Sequence, residues 1–356
     1  MPPFSPGSRL IVLGAGATRG ANFGAAAGSC LPPLNRDFLT QLQRTTEPKY
    51  QRLIRDVIED IVGLFGSNFD LTLEDYFTQL EFLDDALNVG PQSAGTISPA
   101  ELRRKRGRLL HAVSAVLEIS TDAAIRGGGH GCSHHSRLVE KLKARDTLIS
   151  FNYDCVLDHA LRQHGSKKWS AAYGYTFPRP GRVEGAIRWN PSPPAKSSKE
   201  TIFLLKLHGS LNWQLPDDPK TPDVDHRQTI VLKERLHGQR GVPYFTIIPP
   251  VWNKAASEHP TFKVLWRNAE RAIRMAKEIA VVGFSFAPTD LPVESLFRVA
   301  LARRTTKLKT LVIANGSKVD RARTRKVFAR PLEDGTVVRQ YDDFGSFAEA
   351  FPSCFN

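Results

Sequence analysis

The chain contains no run of eighteen apolar residues, so the sequence offers no membrane-spanning helix. Its first residues, MPPFSPGSRLIVLGAG, lack the basic region, apolar core and small-residue cleavage site of a secretory signal, and a cytoplasmic location is the expectation. Cysteine is scarce: Cys30, Cys132, Cys155 and Cys354 are the four, and no two are close enough for a C-x-x-C pair. That argues against a disulfide scaffold and against a four-cysteine zinc site, and leaves reduced, structural thiols. Internal repeats and low-complexity tails are also missing, which excludes solenoids and wholesale disorder.

What is present is a globular composition, 41% hydrophobic and 24% charged over 356 residues, enough for one large domain or two ordinary ones. The net charge of +13 and pI near 9.7 suit polyanions, nucleotides or an acidic partner, or simply a solvated basic surface.

Seven short apolar runs read as strands: Arg9–Leu13, Thr147–Phe151, Ile202–Leu207, Phe245–Ile248, Ile279–Val282, Lys309–Ala314 and Thr336–Gln340. Continuous apolar strands separated by helical stretches predict a mostly parallel α/β sheet covered on both faces. Between the first two runs lie more than a hundred residues with helical periodicity. Helices are expected over Tyr50–Phe65, over Leu73–Leu87 with Thr72 as N-cap and Glu74 and Asp75 in the first turn, and over about Pro99–Ile119. The expected organisation is a Rossmann-like domain of residues 1–34 and 146–356, with 35–145 as an inserted helical module capping the ligand edge of the sheet. Gly181–Lys199 and Pro216–His226 read as loops.

Chemistry gathers where strands end. Gly14-Ala15-Gly16-Ala17-Thr18 follows the first run; its glycines let backbone approach a phosphate, yet G-x-G-x-x-G would need glycine where Arg19 stands, which disfavours a dehydrogenase site. Asn152 and Asp154 of FNYD follow the second run and suit a water, a carboxamide or a ribose, or local loop capping. His208 of LHGSLNW is placed for general-base work near neutral pH, or for a structural role. Gly283 and Ser285 of VVGFSF and Asn315 of IANGS could meet a phosphate or ribose. The run Arg103-Arg104-Lys105-Arg106-Gly107-Arg108 starts a helix, where the dipole disfavours cations, so it is expected to be a solvated face or a contact for phosphate or a partner.

In this order, GAGAT, FNYD, LHGSLNW, VVGFSF and IANGS resemble the sirtuin family, and more closely the bacterial sirtuin-like NAD hydrolases of anti-phage defence. The stretches LTLEDYFTQLE and Ile248-Pro249-Pro250-Val251-Trp252-Asn253-Lys254 look like that group as well. The resemblance runs from Leu10 to about Ser317. It implies that NAD is the substrate, with Gly14, Ala15, Gly16 and Thr18 along the pyrophosphate. Asn152 and Asp154 would hold the nicotinamide ribose and the attacking water, with His208 as base and Gly283, Ser285 and Asn315 at the adenosine half. Nicotinamide and ADP-ribose would be the products, and NAD depletion the defence. A homo-oligomer is implied, and a HerA-type ATPase as a partner; Phe65, Phe69 and Phe82 of the inserted segment are candidate contacts or, more in keeping with their type, core positions.

Two departures bear on activity. The two C-x-x-C pairs of deacylating sirtuins are missing, so no stoichiometric zinc is expected; His130, Cys132, His134 and His135, in a glycine-rich loop, form the one metal-like cluster. The segment LPPLNRDF also differs from the arginine-bearing loop of deacylases. A protein deacylase and a non-catalytic nucleotide-binding sensor or scaffold remain the alternatives.

Overall fold

The computed structural model describes residues 4–21, 30–87, 97–126, 132–178, 182–183, 193–214, 231–232, 246–248 and 260–355. In chain order the strands are β1 (Arg9–Leu13), β2 (Thr147–Ser150), β3 (Arg182–Val183), β4 (Phe203–Lys206), β5 (Gly209–Ser210), β6 (Trp213–Gln214), β7 (Val231–Leu232), β8 (Thr246–Ile247), β9 (Glu278–Val282), β10 (Thr310–Ala314) and β11 (Val337–Tyr341). Six of them form one sheet in the order β4-β2-β1-β9-β10-β11, every neighbour parallel. Relabelled by sequence among themselves, these strands run 3-2-1-4-5-6, the doubly wound order whose ligand crevice opens where the order reverses, here between β1 and β9.

The inner strands can be so apolar because helices flank the sheet. Every residue of β1, β2, β4 and β10 is buried, and Leu10, Ile11, Val12, Ile279, Ala280 and Val282 are fully enclosed. β11, at the edge, exposes Val337 and alternates with half-buried positions. The apolar run at 245–248 departs from expectation: its strand, β8, pairs antiparallel with β5 and stays outside the main sheet.

The helices between β1 and β2 are α1 (Ala15–Arg19), α2 (Phe38–Gln43), α3 (Gln51–Phe65), α4 (Leu73–Leu87), α5 (Pro99–Arg126) and α6 (Ser133–Lys141). α3 takes its stripe from Ile54, Val57 and Ile61, which are buried against α5 residues such as Leu109, Val113 and Val116 in one apolar cluster. Thr72 caps α4 as its position predicts: its hydroxyl accepts from Asp75 N at 3.1 Å, and its own N–H donates to Asp75 Oδ2 at 3.0 Å. α5 runs seven residues past the expected end, because its apolar spacing continues through the buried Thr121 and Ala124.

α6 replaces part of the expected glycine-rich loop. Its Leu138 and Val139, with Cys132 and Leu142, belong to the core of the main sheet rather than to the α3–α5 cluster. The cationic run on α5 also departs from expectation. Arg103 and Arg104 are exposed, but Lys105 and Arg108 both bind Asp60 of α3, at 2.7 and 2.8 Å, and Arg106 reaches Glu81 of α4. Most of the run is therefore a clasp between helices.

Of the proposed oligomer contacts, Phe65 and Phe69 are partly buried against the helical cluster, whereas Phe82 is 69% exposed. Among the described residues no helix is long and apolar enough to cross a membrane. Of the expected loop Gly181–Lys199, residues 181 and 184–192 lie outside the described residues and Arg182–Val183 form β3; all of Pro216–His226, His130 and the segment from Pro249 to Lys254 also lie outside them.

Candidate functional site

The ends of β1 and β9 interlock. Gly14 N donates to Val282 O at 3.0 Å and Gly16 N to Gly283 O at 2.9 Å. A Cβ on Gly14 or Gly16 would lie 2.6 or 2.7 Å from Gly283 O, and one on Gly283, whose φ is +58°, would lie 2.1 Å from Ala17 N. The glycines are needed first for this close approach of two chain segments. The stretch expected as a loop is in fact one helical turn, α1, with Gly14 in extended backbone before it, Ala15 exposed and Gly16 half-buried at the crevice.

Thr18, one turn further, is buried and joins the first strand end to the second. Its hydroxyl donates to Asp154 Oδ2 at 2.9 Å and receives Asn152 Nδ2 at 3.0 Å. A threonine hydroxyl has one proton, and an ionised carboxylate only accepts, so the proton goes to Asp154 and the amide of Asn152 must turn its NH₂ toward Thr18. That orientation leaves Asn152 Oδ1 buried without a hydrogen-bond partner among the described residues. Asp154 Oδ1 in turn accepts from Val156 N at 3.0 Å, at the start of α7 (Val156–His164). Burial raises the Asp154 carboxyl above the usual range, and the Lys206 ammonium opposes that rise.

Lys206, the last residue of β4, lies 1% exposed in an otherwise apolar strand. Its three protons go to Asp158 Oδ2 at 2.8 Å, to the Asp154 carbonyl at 2.6 Å and to Ser210 Oγ. Burial alone would lower its pKa, but the charges of Asp158, Cys155 and Asp154 outweigh it and hold the ammonium above its ordinary value. Asp158 also accepts the hydroxyl of the buried Tyr175. This cluster ties the FNYD turn to the HGS turn, and a lysine inside FLLKL was the sequence signal for it.

His208 follows at once, and Gly209, at φ +79°, turns the chain beneath it. Its backbone O accepts from Ile248 N at 2.8 Å, and Tyr153 OH donates to Ile248 O at 2.7 Å. The imidazole lies edge-on to Phe151 with centroids 5.1 Å apart, and Phe151 stacks on Phe284 at 4.3 Å. The imidazole therefore lies beside an aromatic pair that joins the end of β2, through Phe151, to the end of β9, through Phe284. His208 Nε2 is 3.8 Å from Asp290 Oδ2.

The adenosine-side residues are near but occupied differently. Gly283 and Ser285 are half-buried at the β9 end. Asn315, at the end of β10, donates weakly to Phe284 O at 3.4 Å and accepts from Ser317 N at 2.9 Å, a local turn role. Of the His/Cys cluster, His130 lies outside the described residues; His135 Nδ1 meets Cys132 Sγ at 3.1 Å, and both His134 and His135 pack against Phe344. Among the described residues no group of three or more His, Cys, Asp or Glu side chains is arranged for a metal. Sequence reasoning missed Lys206, Glu74 and Asp290 as site residues; Glu74 read as an ordinary first-turn residue of α4, and Asp290 belonged to no motif.

A parallel sheet in 3-2-1-4-5-6 order, with a glycine turn and polar side chains at its switch point, defines a Rossmann-type nucleotide-binding protein. Residues 146–331 match the family described as SIR2-like domain. That is more than half of the chain, which therefore belongs to this family and is sirtuin-like. NAD interaction and an NAD-using enzyme are what such a domain supports in general. No curated protein gives a match to the chain.

Proposed function

We propose that this chain is an NAD hydrolase that cleaves the bond between nicotinamide and ribose, yielding nicotinamide and ADP-ribose. The observation that carries the reading is Asn152 Oδ1, a buried acceptor without a partner among the described residues, at the strand ends of a SIR2-like fold. An unmet buried acceptor costs about 1–3 kcal/mol, so its retention points to a ligand proton, from a ribose hydroxyl or a water.

The chemistry breaks the bond between ribose C1′ and the nicotinamide nitrogen. The electron pair leaves with nicotinamide, which loses its pyridinium charge, and positive charge builds on the ribose. Water then bonds to C1′, and its proton passes to His208 and on to solvent. Asn152 orients the water or the ribose, and Thr18 and Asp154 hold Asn152. Gly14, Ala15, Gly16 and Thr18 line the pyrophosphate, and Gly283, Ser285 and Asn315 the adenosine half. No metal is required.

In the same reading residues 35–145 are the segment inserted after the first strand; its helices as far as α5 form the module over the site and bring α4 beside the crevice, while α6 packs into the core of the sheet. The protein acts in the cytoplasm as a homo-oligomer, with exposed Phe82 among its contacts, and depletes NAD in anti-phage defence when triggered, in one arrangement with a HerA-type ATPase. The ordered motif set supports this assignment.

The test is incubation of purified protein with NAD while nicotinamide is measured. Wild type should release it without any acyl peptide. Asn152→Ala and His208→Ala should lower the rate by about a hundredfold to ten-thousandfold while keeping the fold. An Asn152→Ala protein with the wild-type rate overturns the assignment. Release only when an acetylated peptide is added makes the protein a deacylase instead.

A further inference from the structure

Asp290 stands before the first turn of the helix Leu291–Ala302, the place where an aspartate normally caps backbone N–H groups with its side chain. Its side chain makes no such bond. The backbone carbonyl of Asp290 serves the turn, accepting from Val293 N and Glu294 N at 3.1 Å, while the carboxylate turns to His208. Both side chains are more than nine-tenths buried, so this separation is only weakly screened.

The neighbouring residue is held from the helical segment. Thr289 Oγ1 donates to Glu74 Oε2 on α4, and the same oxygen accepts Asn35 Nδ2 at 3.1 Å. Asn35 Oδ1 closes the pair by accepting from Glu74 N at 2.9 Å. Glu74 is 3% exposed. The carboxylates of Glu74 and Asp290 both act on Tyr153, whose ring centroid is 6.2 Å from that of His208, which places both near the base.

We propose that Asp290 is the positioning residue for His208, and that the helical segment sets Asp290 through Glu74 and Thr289. The inference rests on His208 being the base of the proposed reaction. A carboxylate 3.8 Å from Nε2 favours one ring orientation and stabilises the imidazolium formed when the base takes its proton. Among the described residues the rings of Phe151 and Tyr153 and the Asp290 carboxylate face the imidazole, and Glu74 bonds Thr289, the residue before Asp290. Lys206, two residues earlier, is turned away into Asp158, Ser210 and the Asp154 carbonyl. Docking of α4 against Thr289 thereby couples the helices to the competence of the base.

Two readouts test this. An NMR titration of the His208 ring in intact protein should show its pKa falling by about one unit in Asp290→Asn, and by less in Glu74→Gln. Nicotinamide release by Asp290→Asn should fall by more than about tenfold yet stay above the His208→Ala level, with the acid limb of its pH profile moved to lower pH. Asp290→Glu should restore part of both. An unmoved His208 titration in a folded Asp290→Asn protein overturns the proposal. A wild type that releases no nicotinamide defeats the hydrolase reading alone, since the titration still decides whether Asp290 governs His208.

Discussion

Thr18 holds Asn152 by a single hydrogen bond of 3.0 Å, and the direction of that bond is dictated by the proton Thr18 gives to Asp154. Thr18→Val keeps the shape and removes both contacts. It should cost about 1–3 kcal/mol by leaving buried polar groups unmet. It should also slow nicotinamide release by more than about tenfold, as the Asn152 amide loses its fixed orientation. Thr18→Ser should retain stability and activity. Urea denaturation and a nicotinamide assay read the two effects separately, and full activity in Thr18→Val would show that another group orients Asn152.

Gly283 should tolerate nothing larger. Its left-handed backbone costs an L-residue about 1–2 kcal/mol, and the clash with Ala17 N adds about 1–3 kcal/mol of overpacking. Gly283→Ala should therefore lose about 2–5 kcal/mol in thermal or chemical denaturation. Gly63, exposed on α3 with open space at its Cβ, gives the contrast: Gly63→Ala should gain about 0.5–1 kcal/mol.

Removing the Lys206 ammonium should be worse than removing the whole buried pair. Lys206→Met leaves the Asp158 charge enclosed and should cost about 3–5 kcal/mol. The double variant Lys206→Met with Asp158→Asn should recover a large part of that loss. A double-mutant cycle by denaturation measures the coupling, and strict additivity of the two substitutions would refute it.

Acid should weaken the fold through His135. Burial lowers its pKa from the ordinary 6.5 to about 3, so the native state keeps it neutral while the unfolded chain takes up a proton. Its contribution is whole above pH 6.5 and is lost as pH falls toward 3, by at most about 1.4 kcal/mol per pH unit. Urea midpoints between pH 7 and pH 5 should fall, and His135→Gln should flatten that decline.

Strands whose apolar runs are short and unbroken were legible to within a residue: β1 begins and ends where RLIVL does, and β2, β4, β9, β10 and β11 differ from their runs by one residue at one or both ends. Their order in space was not, because pairing of β1 with β9 joins segments that share no local signal. The strand-end motifs were legible as polar residues after apolar runs, but their mutual contacts were not. Asp290 belonged to no sequence motif, and its distance to His208 is what distinguishes it. The basic run on α5 misled for the same reason: Asp60, its acceptor, sits on another helix.

β1 leaves the ribosome first yet has no neighbour to pair with until residues 147–150 exist, and its other flank waits for 278–282. At about 5–20 residues per second, the central strand stays unpaired for on the order of tens of seconds during synthesis. The α3–α5 cluster, built from nearer contacts, can form in that interval. The strand that will carry the glycine turn is thus an apolar segment left without its sheet neighbours during synthesis. A block to synthesis between residues 150 and 278 would leave it with an open edge, the form most prone to pair with another copy.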